Sequence, residues 1–244
     1  MRSGPPIAPR RVAVHVARTV WNDAIIPLGD RALTVTMPGA DGRALVRCLA
    51  DRVRADAPPG MTALVPAIES LTIHYDPLRS SFGSLRSYLT QAFVTLEITP
   101  VTVAEPVLIP VCYGGEFGPD LDDVAAAHAT TADAIIAAHS GGLYTVAMIG
   151  FLPGFPYLEG LAPALHTPRR ATPRTAVPAG SVGIGGSSTG VYPFASPGGW
   201  QIIGRTPRAL FSPTREPPAL LQAGDRVRFT PITTAALRAL LEQP

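Results

Sequence analysis

The sequence predicts an α+β N-terminal domain over residues 1–100 and a β-rich second domain over residues 101–244. Two observations carry this prediction. The first hundred residues alternate strand-like apolar runs with two amphipathic segments, a pattern typical of small α+β domains. The second half instead contains many short strand-like runs separated by proline and glycine, which favours a barrel or a sandwich.

In the first domain, three strands and two helices are expected. The first helix is supported by Leu45, Leu49 and Val53, which fall on one helical face. A segment rich in proline and threonine at 99–106 is interpreted as a linker. The predicted elements are strands at 11–20 and 31–37, a helix at 43–56, a strand at 70–75 and a helix at 81–96.

In the second domain, two short helices are expected after a first strand at 107–113. Asp120 is predicted to cap the first helix and Thr130 the second, with Asp123 and Asp133 in their opening turns. The second helix is expected to end at the serine and glycines of 140–142. The later elements are predicted as strands at 144–149, 200–204, 208–211 and 226–230, and a helix at 234–242.

The composition excludes several classes of protein. Hydrophobic residues make up 46% of the chain and charged residues 16%, which describes a folded globular protein. A net charge of +2 gives little reason to expect a nucleic-acid partner. The chain contains no lysine, so Schiff-base, phosphate-loop and serine–lysine mechanisms are excluded.

The chain is expected to be cytoplasmic. Its N-terminus lacks the apolar centre of a signal peptide, and its longest apolar run, at 140–158, is broken by glycines and prolines that disfavour a membrane helix. Cys48 and Cys112 lie far apart and outside any metal-ligand spacing, so they are interpreted as reduced thiols.

The apolar stretch GFLPGFPYLEG, residues 150–160, is expected to form a rigid loop, because its prolines restrict the backbone. Two interpretations remain open. Phe151, Phe155 and Tyr157 either line the rim of a pocket or plug one end of a barrel.

Residues 183–190, GIGGSSTG, offer backbone N–H groups and hydroxyls on a tight turn, which suits a phosphate or carboxylate. No charged residue lies between Arg174 and Arg205, so flanking arginines would supply the charge. Alternatively, the glycines form barrel corners and the arginines face solvent or a partner protein. The candidate binding residues are Arg169, Arg170, Arg174, Ser187, Ser188, Thr189, Tyr192 and Gln201.

A serine-hydrolase pattern at 186–190 is rejected, because prolines follow Ser188 where a helix is needed and every histidine precedes it. No metal site is expected, since no histidine has carboxylate or cysteine partners at ligand spacing. His139 and Glu116 are retained as weaker catalytic candidates.

Several long segments in the right order resemble the B subunit of the bacterial 5-oxoprolinase complex. This family is also described as allophanate hydrolase subunit 1 or carboxyltransferase subdomains C and D, and it includes a sporulation-kinase inhibitor. The segments are IPVCYGGEFGPDLDDVA, GFLPGFPYLEGL, TPRRATPRTAVPAGSVGIGG, TGVYPFASPGGWQIIGRTP and GDRVRFTPI, with LGDRALTV and HYDP in the first domain.

The resemblance implies that the second domain is a cyclophilin-like β-barrel and that the chain is inactive alone. It implies a sister C subunit, a third subunit, and an ATP-dependent opening of 5-oxo-L-proline to L-glutamate. ATP, with magnesium, would enter in the complex, and no cofactor would be bound covalently. Phosphorylation of the lactam oxygen would make it a leaving group before water attacks.

One departure concerns Ser188, which stands where family members often carry glutamine. The allophanate hydrolase description also requires an amidase lysine that this chain lacks. Alternative functions therefore remain: a histidine-kinase inhibitor or other regulatory binding protein, a urea-carboxylase-type carboxyltransferase with biotin on another chain, or an allophanate hydrolase subunit.

Overall fold

The computed structural model describes residues 12–13, 24–39, 41–98, 105–150 and 152–242. The chain divides into two compact units, residues 1–103 and 104–244. Among the described residues, the first unit contains antiparallel strands and two complete helices, and the second contains a closed β-barrel. The predicted fold class, an α+β region followed by a β-barrel, is therefore confirmed.

In the first unit, four strands form the sheet in the order β2-β3-β5-β4, while β1 pairs with β6. Leu45, Leu49 and Val53 of α1 are all buried, as their spacing predicts. The elements are β1 (Val12–Ala13), β2 (Ile25–Pro27), β3 (Ala32–Thr36), α1 (Gly42–Asp56), β4 (Met61–Pro66), β5 (Ser70–Tyr75), α2 (Phe82–Val94) and β6 (Glu97–Ile98).

Two strands of this sheet, β2 and β4, are absent from the sequence-based prediction. Both lie at the edges of the sheet and both end in proline, which weakens the alternating pattern that marks a strand. The strand predicted at 11–20 is described only at residues 12–13, and the rest of it lies outside the described residues.

In the second unit, seven strands close into a barrel in the order β11-β12-β9-β8-β15-β7-β14, with β14 pairing back to β11. Among the strand pairs of the described residues, β15–β7 alone is parallel. The elements are β7 (Val107–Tyr113), α3 (Leu121–Ala127), α4 (Ala132–Gly141), β8 (Tyr144–Ile149), β9 (Pro156–Glu159), β10 (Arg174–Val177), β11 (Ser181–Gly185), β12 (Ser188–Val191), β13 (Ser196–Gly198), β14 (Gln201–Arg205), β15 (Arg226–Pro231) and α5 (Thr234–Leu241).

Asp120 occupies the predicted N-cap position of α3, but neither predicted side-chain cap is formed. The Asp120 side chain makes no capping hydrogen bond, because it is committed elsewhere in the fold. At α4 the cap is Thr131 rather than Thr130: the Thr131 hydroxyl accepts a 3.2 Å hydrogen bond from the Ala134 N–H. Thr131 has the extended backbone of an N-cap. The acidic first turns of both helices are as predicted.

The strand predicted at 208–211 is also wrong. Residues 207–220 form a loop in which Phe211 makes only an isolated bridge to Ala219. The Arg215 guanidinium holds this loop by donating hydrogen bonds to the backbone oxygens of Ala209, Leu210 and Pro218. Such a side-chain clamp leaves no periodic signal in the sequence.

Among the described residues, no helix combines the length and the hydropathy that crossing a bilayer requires.

Candidate functional site

A buried carboxylate, Asp120, joins two of the candidate arginines. Its side chain is 2% exposed. Arg174 donates to it from both terminal nitrogens, Nη1 to Oδ2 at 2.9 Å and Nη2 to Oδ1 at 2.6 Å. Arg170 Nη1 donates to Oδ1 at 2.9 Å, and the Ile202 N–H donates to Oδ2 at 2.6 Å. Four donors therefore compensate the buried negative charge.

The arginines belong to residues 167–174, here named the arginine loop. This loop is fixed to the start of β14 by backbone as well as side-chain contacts. The Arg170 N–H donates to the Gly199 oxygen at 2.7 Å, and the side-chain amide of Gln201 donates to the Pro168 oxygen at 3.0 Å. Together with the hydrogen bonds to Asp120, these bonds fix the conformation of the arginine loop.

The third candidate arginine, Arg169, packs over the ring of Trp200. The Arg169 guanidinium carbon lies 5.7 Å from the Trp200 ring centroid, within the range of a cation–π interaction. The indole is buried and packs closely against two glycine residues. A Cβ at Gly185 would come within 2.6 Å of the ring, and one at Gly190 within 3.1 Å. The glycines at 185 and 190 therefore make room for Trp200.

Three other aromatic residues surround Trp200. Phe155, Tyr157 and Tyr192 meet its ring edge to face, with centroids at 5.4, 5.5 and 6.5 Å. Phe155 and Tyr192 are buried, and burial raises the pKa of the Tyr192 phenol. Phe155 is therefore part of a packed interior cluster and does not line the rim of an open pocket. Phe151 lies outside the described residues.

The glycine-rich segment is a β-hairpin. Strands β11 and β12 pair in register from Val182–Val191 to Gly185–Ser188, and the turn is made by Gly186, with φ +68°, and Ser187. The Gly186 N–H donates to the Thr167 oxygen at 2.8 Å, so it is already used within the protein. Ser187 is exposed and Ser188 half-buried, and this bond places their turn beside the arginine loop.

His139 and Thr189 lie in the barrel interior, apart from this surface. His139 is fully buried, with Nδ1 2.8 Å from the Tyr113 hydroxyl and Nε2 2.9 Å from the Thr189 hydroxyl. The Thr189 hydroxyl donates its one proton to the Gly183 oxygen at 2.9 Å. It must therefore accept from His139 Nε2–H, which leaves Nδ1 to accept from Tyr113. The ring is neutral, and burial lowers its pKa to about 3.

Because His139 is buried in its neutral form, we expect the protein to lose stability in acid. Between about pH 6.5 and pH 3 the unfolded chain binds a proton at His139 that the folded chain does not. Stability should therefore fall as pH drops, with a slope approaching about 1.4 kcal/mol per pH unit from this group. Burial also raises the pKa of Tyr113 and of Tyr144, which donates to the His139 backbone oxygen, so neither phenol becomes a counter-ion.

The measurement is urea denaturation at several pH values between about 4 and 7. The control is His139→Gln, which keeps a polar side chain that cannot titrate. Its unfolding free energy should depend on pH less steeply than that of the wild type, and equal slopes would contradict this expectation.

Glu116 forms an ion pair with a residue outside the arginine loop. Its Oε1 lies 2.6 Å from Arg238 Nη2 of α5, and both side chains are about 60% exposed. Such exposed pairs contribute about 0–1 kcal/mol to stability. Nothing in its contacts joins Glu116 to the arginine loop.

The site that emerges therefore consists of the arginine loop, the hairpin turn and the start of β14. It carries three guanidinium charges against the single carboxylate of Asp120, which leaves two positive charges. Arg169 makes no ion pair with any described residue, and the buried Arg170 Nε donates no hydrogen bond to one. This arrangement suits a small carboxylate or phosphate.

Two residues of the site are not predicted by the sequence. The context of Asp120 indicates a helix cap, because a helix follows it; its arginine partners lie 50 and 54 positions further along the chain. Trp200 is absent from the predicted site, although Gly183 and Gly185 alternate along β11 and both lie against it, a pattern that signals close packing of a large group.

A family model described as carboxyltransferase domain, subdomain C and D, matches residues 24–221. The 5-oxoprolinase B subunit of Bacillus subtilis is 39% identical over 229 residues, which cover 88% of this chain and 95% of that protein. The 5-oxoprolinase B subunit of Haemophilus influenzae is 47% identical over 206 residues, which cover 84% of this chain and 96% of that protein.

A solved structure with the same fold is that of the protein TTHA0988. It superposes with a TM-score of 0.74 at 37% sequence identity. The match covers 83% of this chain but only 40% of that one, so this chain corresponds to less than half of TTHA0988.

Proposed function

This chain belongs to the family of 5-oxoprolinase B subunits, and from that premise we propose that it is a subunit of an ATP-dependent 5-oxoprolinase. The complex opens the lactam ring of 5-oxo-L-proline to give L-glutamate. We propose further that the arginine loop binds the carboxylate of 5-oxoproline. The observation that carries this assignment is the excess of guanidinium charge around one buried carboxylate.

In this reaction the lactam oxygen takes the γ-phosphoryl group of ATP, which releases ADP. Water then adds to the activated carbon, and the C–N bond opens to the amine of glutamate, which leaves γ-glutamyl phosphate. A second water molecule hydrolyses this acyl phosphate to the γ-carboxylate of glutamate and inorganic phosphate, so one ATP and two water molecules are consumed. Each of these steps moves negative charge. Fixed guanidinium groups that hold the substrate carboxylate would orient the lactam without having to reorganise during the reaction.

We place ATP and its magnesium ion on the partner subunits. The glycine segment that suggested a phosphate cradle forms a hairpin, and its Gly186 N–H is bonded to Thr167. Among the described residues, no three histidine, cysteine or acidic side chains cluster as metal ligands. These features support a role for this chain in holding the organic substrate.

We propose that the partners are a sister C subunit and a third subunit, assembled in the cytoplasm, where ATP is available. The 5-oxoprolinase relatives are described as B subunits, a name that implies further subunits. In TTHA0988 the equivalent region is joined to more sequence on one chain, which is consistent with a neighbour that is needed for function.

The test is to co-express this chain with its two partner subunits and to measure glutamate release from 5-oxoproline with and without ATP. The key variant is Arg169→Gln, because Arg169 has no part in the Asp120 cluster and its loss should leave the fold intact. The KM for 5-oxoproline should rise about tenfold, while the KM for ATP stays unchanged.

The matched control is Arg228→Gln, which removes an exposed charge from β15 and should change neither constant. A complex that releases no glutamate would overturn the proposed function. An active complex in which Arg169→Gln behaves like the control would overturn the assignment of the site alone.

A further inference from the structure

The Asp120 side chain accepts hydrogen bonds from both Arg170 and Arg174. Building on the proposed function, we propose that Asp120 is a positioning residue for substrate binding: it fixes the two guanidinium groups in the orientation that receives the substrate carboxylate. It acts through the arginines, because its own oxygens are buried and already accept four hydrogen bonds.

The first step of the argument is that Asp120 is itself immobile. The carboxylate is 2% exposed and is tied to the Ile202 N–H, which belongs to the barrel strand β14. The Asp120 N–H in turn donates to the Ile202 oxygen at 2.9 Å. Two bonds to one residue of a closed barrel therefore hold both the backbone and the side chain of Asp120.

The second step is that the fixed carboxylate restricts the orientation of the two arginine side chains. Arginine side chains have many rotamers, and ordering them on a ligand weakens binding. Arg174 meets both oxygens of Asp120 with its two terminal nitrogens, a geometry that fixes the plane of the guanidinium as well as its position. Arg170 is fixed by one such bond and by its backbone bond to Gly199.

The third step is that both arginines remain able to reach a ligand. The Arg170 side chain is 34% exposed and that of Arg174 is 26% exposed, whereas Asp120 is closed to solvent. Asp120 therefore orients the two guanidinium groups without saturating them or neutralising their combined charge.

The test is Asp120→Asn in the complete, reconstituted complex. Asparagine keeps the volume of the side chain, but it removes the charge and turns one acceptor into an NH2 group that faces guanidinium donors. We expect the KM for 5-oxoproline to rise about tenfold or more, with the KM for ATP unchanged. A purely structural role would lower the amount of active complex, and thus the apparent kcat, and leave both KM values as they are.

The control is His128→Ala, which removes another anchor of the same loop, the 3.0 Å contact between His128 Nε2 and the Thr167 hydroxyl, without touching an arginine. It should lower the thermal stability and leave the KM for 5-oxoproline within about twofold. If Asp120→Asn is not recovered as a folded protein, Asp120→Glu replaces it. The longer side chain keeps the charge but displaces the carboxylate, so the same rise in KM is expected.

An unchanged KM for 5-oxoproline in a folded Asp120 variant would overturn the positioning role. So would an equal rise in the control. The proposed function is judged separately, by whether the wild-type complex releases glutamate when ATP is present.

Discussion

Replacing both Arg170 and Arg174 by alanine should lower the free energy of unfolding of this chain by about 3–5 kcal/mol. Of the four hydrogen bonds to the buried Asp120 carboxylate, three come from these two side chains. The double variant leaves only the Ile202 N–H to compensate a charge that is closed to solvent. An unpaired buried charge is among the few features that destabilise a protein this strongly.

The single variants should follow the number of bonds that each removes. Arg170→Ala removes one bond and Arg174→Ala removes two, so the loss of stability should increase from the first to the second and be largest for the double variant. Urea denaturation of the isolated chain measures this order. The control is Arg238→Ala, which breaks the exposed pair with Glu116 and should cost no more than about 1 kcal/mol.

The same double variant should lower the ATP-dependent ring opening by the complex about 100-fold or more. A third substitution, Asp120→Asn, separates the two effects. Added to the double variant, it removes the stranded charge and should recover part of the stability, but it cannot restore the arginines and should recover no activity. Full activity of the double variant would show that the substrate carboxylate binds elsewhere.

The elements that the sequence predicted correctly are those whose signals are local. The spacing of Leu45, Leu49 and Val53 defines the buried face of α1. The density of glycine and proline after residue 150 indicates the barrel, because tight turns between short strands require these residues.

The features that escaped prediction depend on contacts between distant residues. Asp120 has the sequence context of a helix cap, and only the folded barrel brings Arg170 and Arg174 to its carboxylate. His139 stands near the end of an ordinary short helix, yet the Tyr113 and Thr189 hydroxyls satisfy it in the interior. The number of hydrogen bonds available to a polar side chain cannot be read from its neighbours in the sequence.

A second large effect is expected from Gly190→Ala, because Gly190 lies where the barrel, the aromatic cluster and the arginine loop come together. An added Cβ would stand 2.6 Å from the Pro156 backbone oxygen, 3.1 Å from the Trp200 ring and 3.2 Å from the Phe155 ring. The carbonyl cannot yield without disturbing the pairing of β12 with β9. We expect a loss of about 3 kcal/mol in the free energy of unfolding.

The control for this variant is Gly141→Ala. Gly141 ends α4, and a Cβ there would meet no atom within 4 Å, so alanine should be neutral or stabilising by up to about 1 kcal/mol. Equal unfolding free energies for the two variants would contradict the tight packing assigned to Gly190.

The change at Gly190 should also reach the substrate, because the Trp200 ring that it displaces supports Arg169. The chain has two tryptophans, so in a Trp21→Phe background the fluorescence reports on Trp200 alone. Gly190→Ala should increase quenching of that fluorescence by acrylamide and raise the KM for 5-oxoproline together. A folded variant with a displaced indole and an unaltered KM would mean that Arg169 binds its ligand without the tryptophan beneath it, and the aromatic cluster would then serve stability alone.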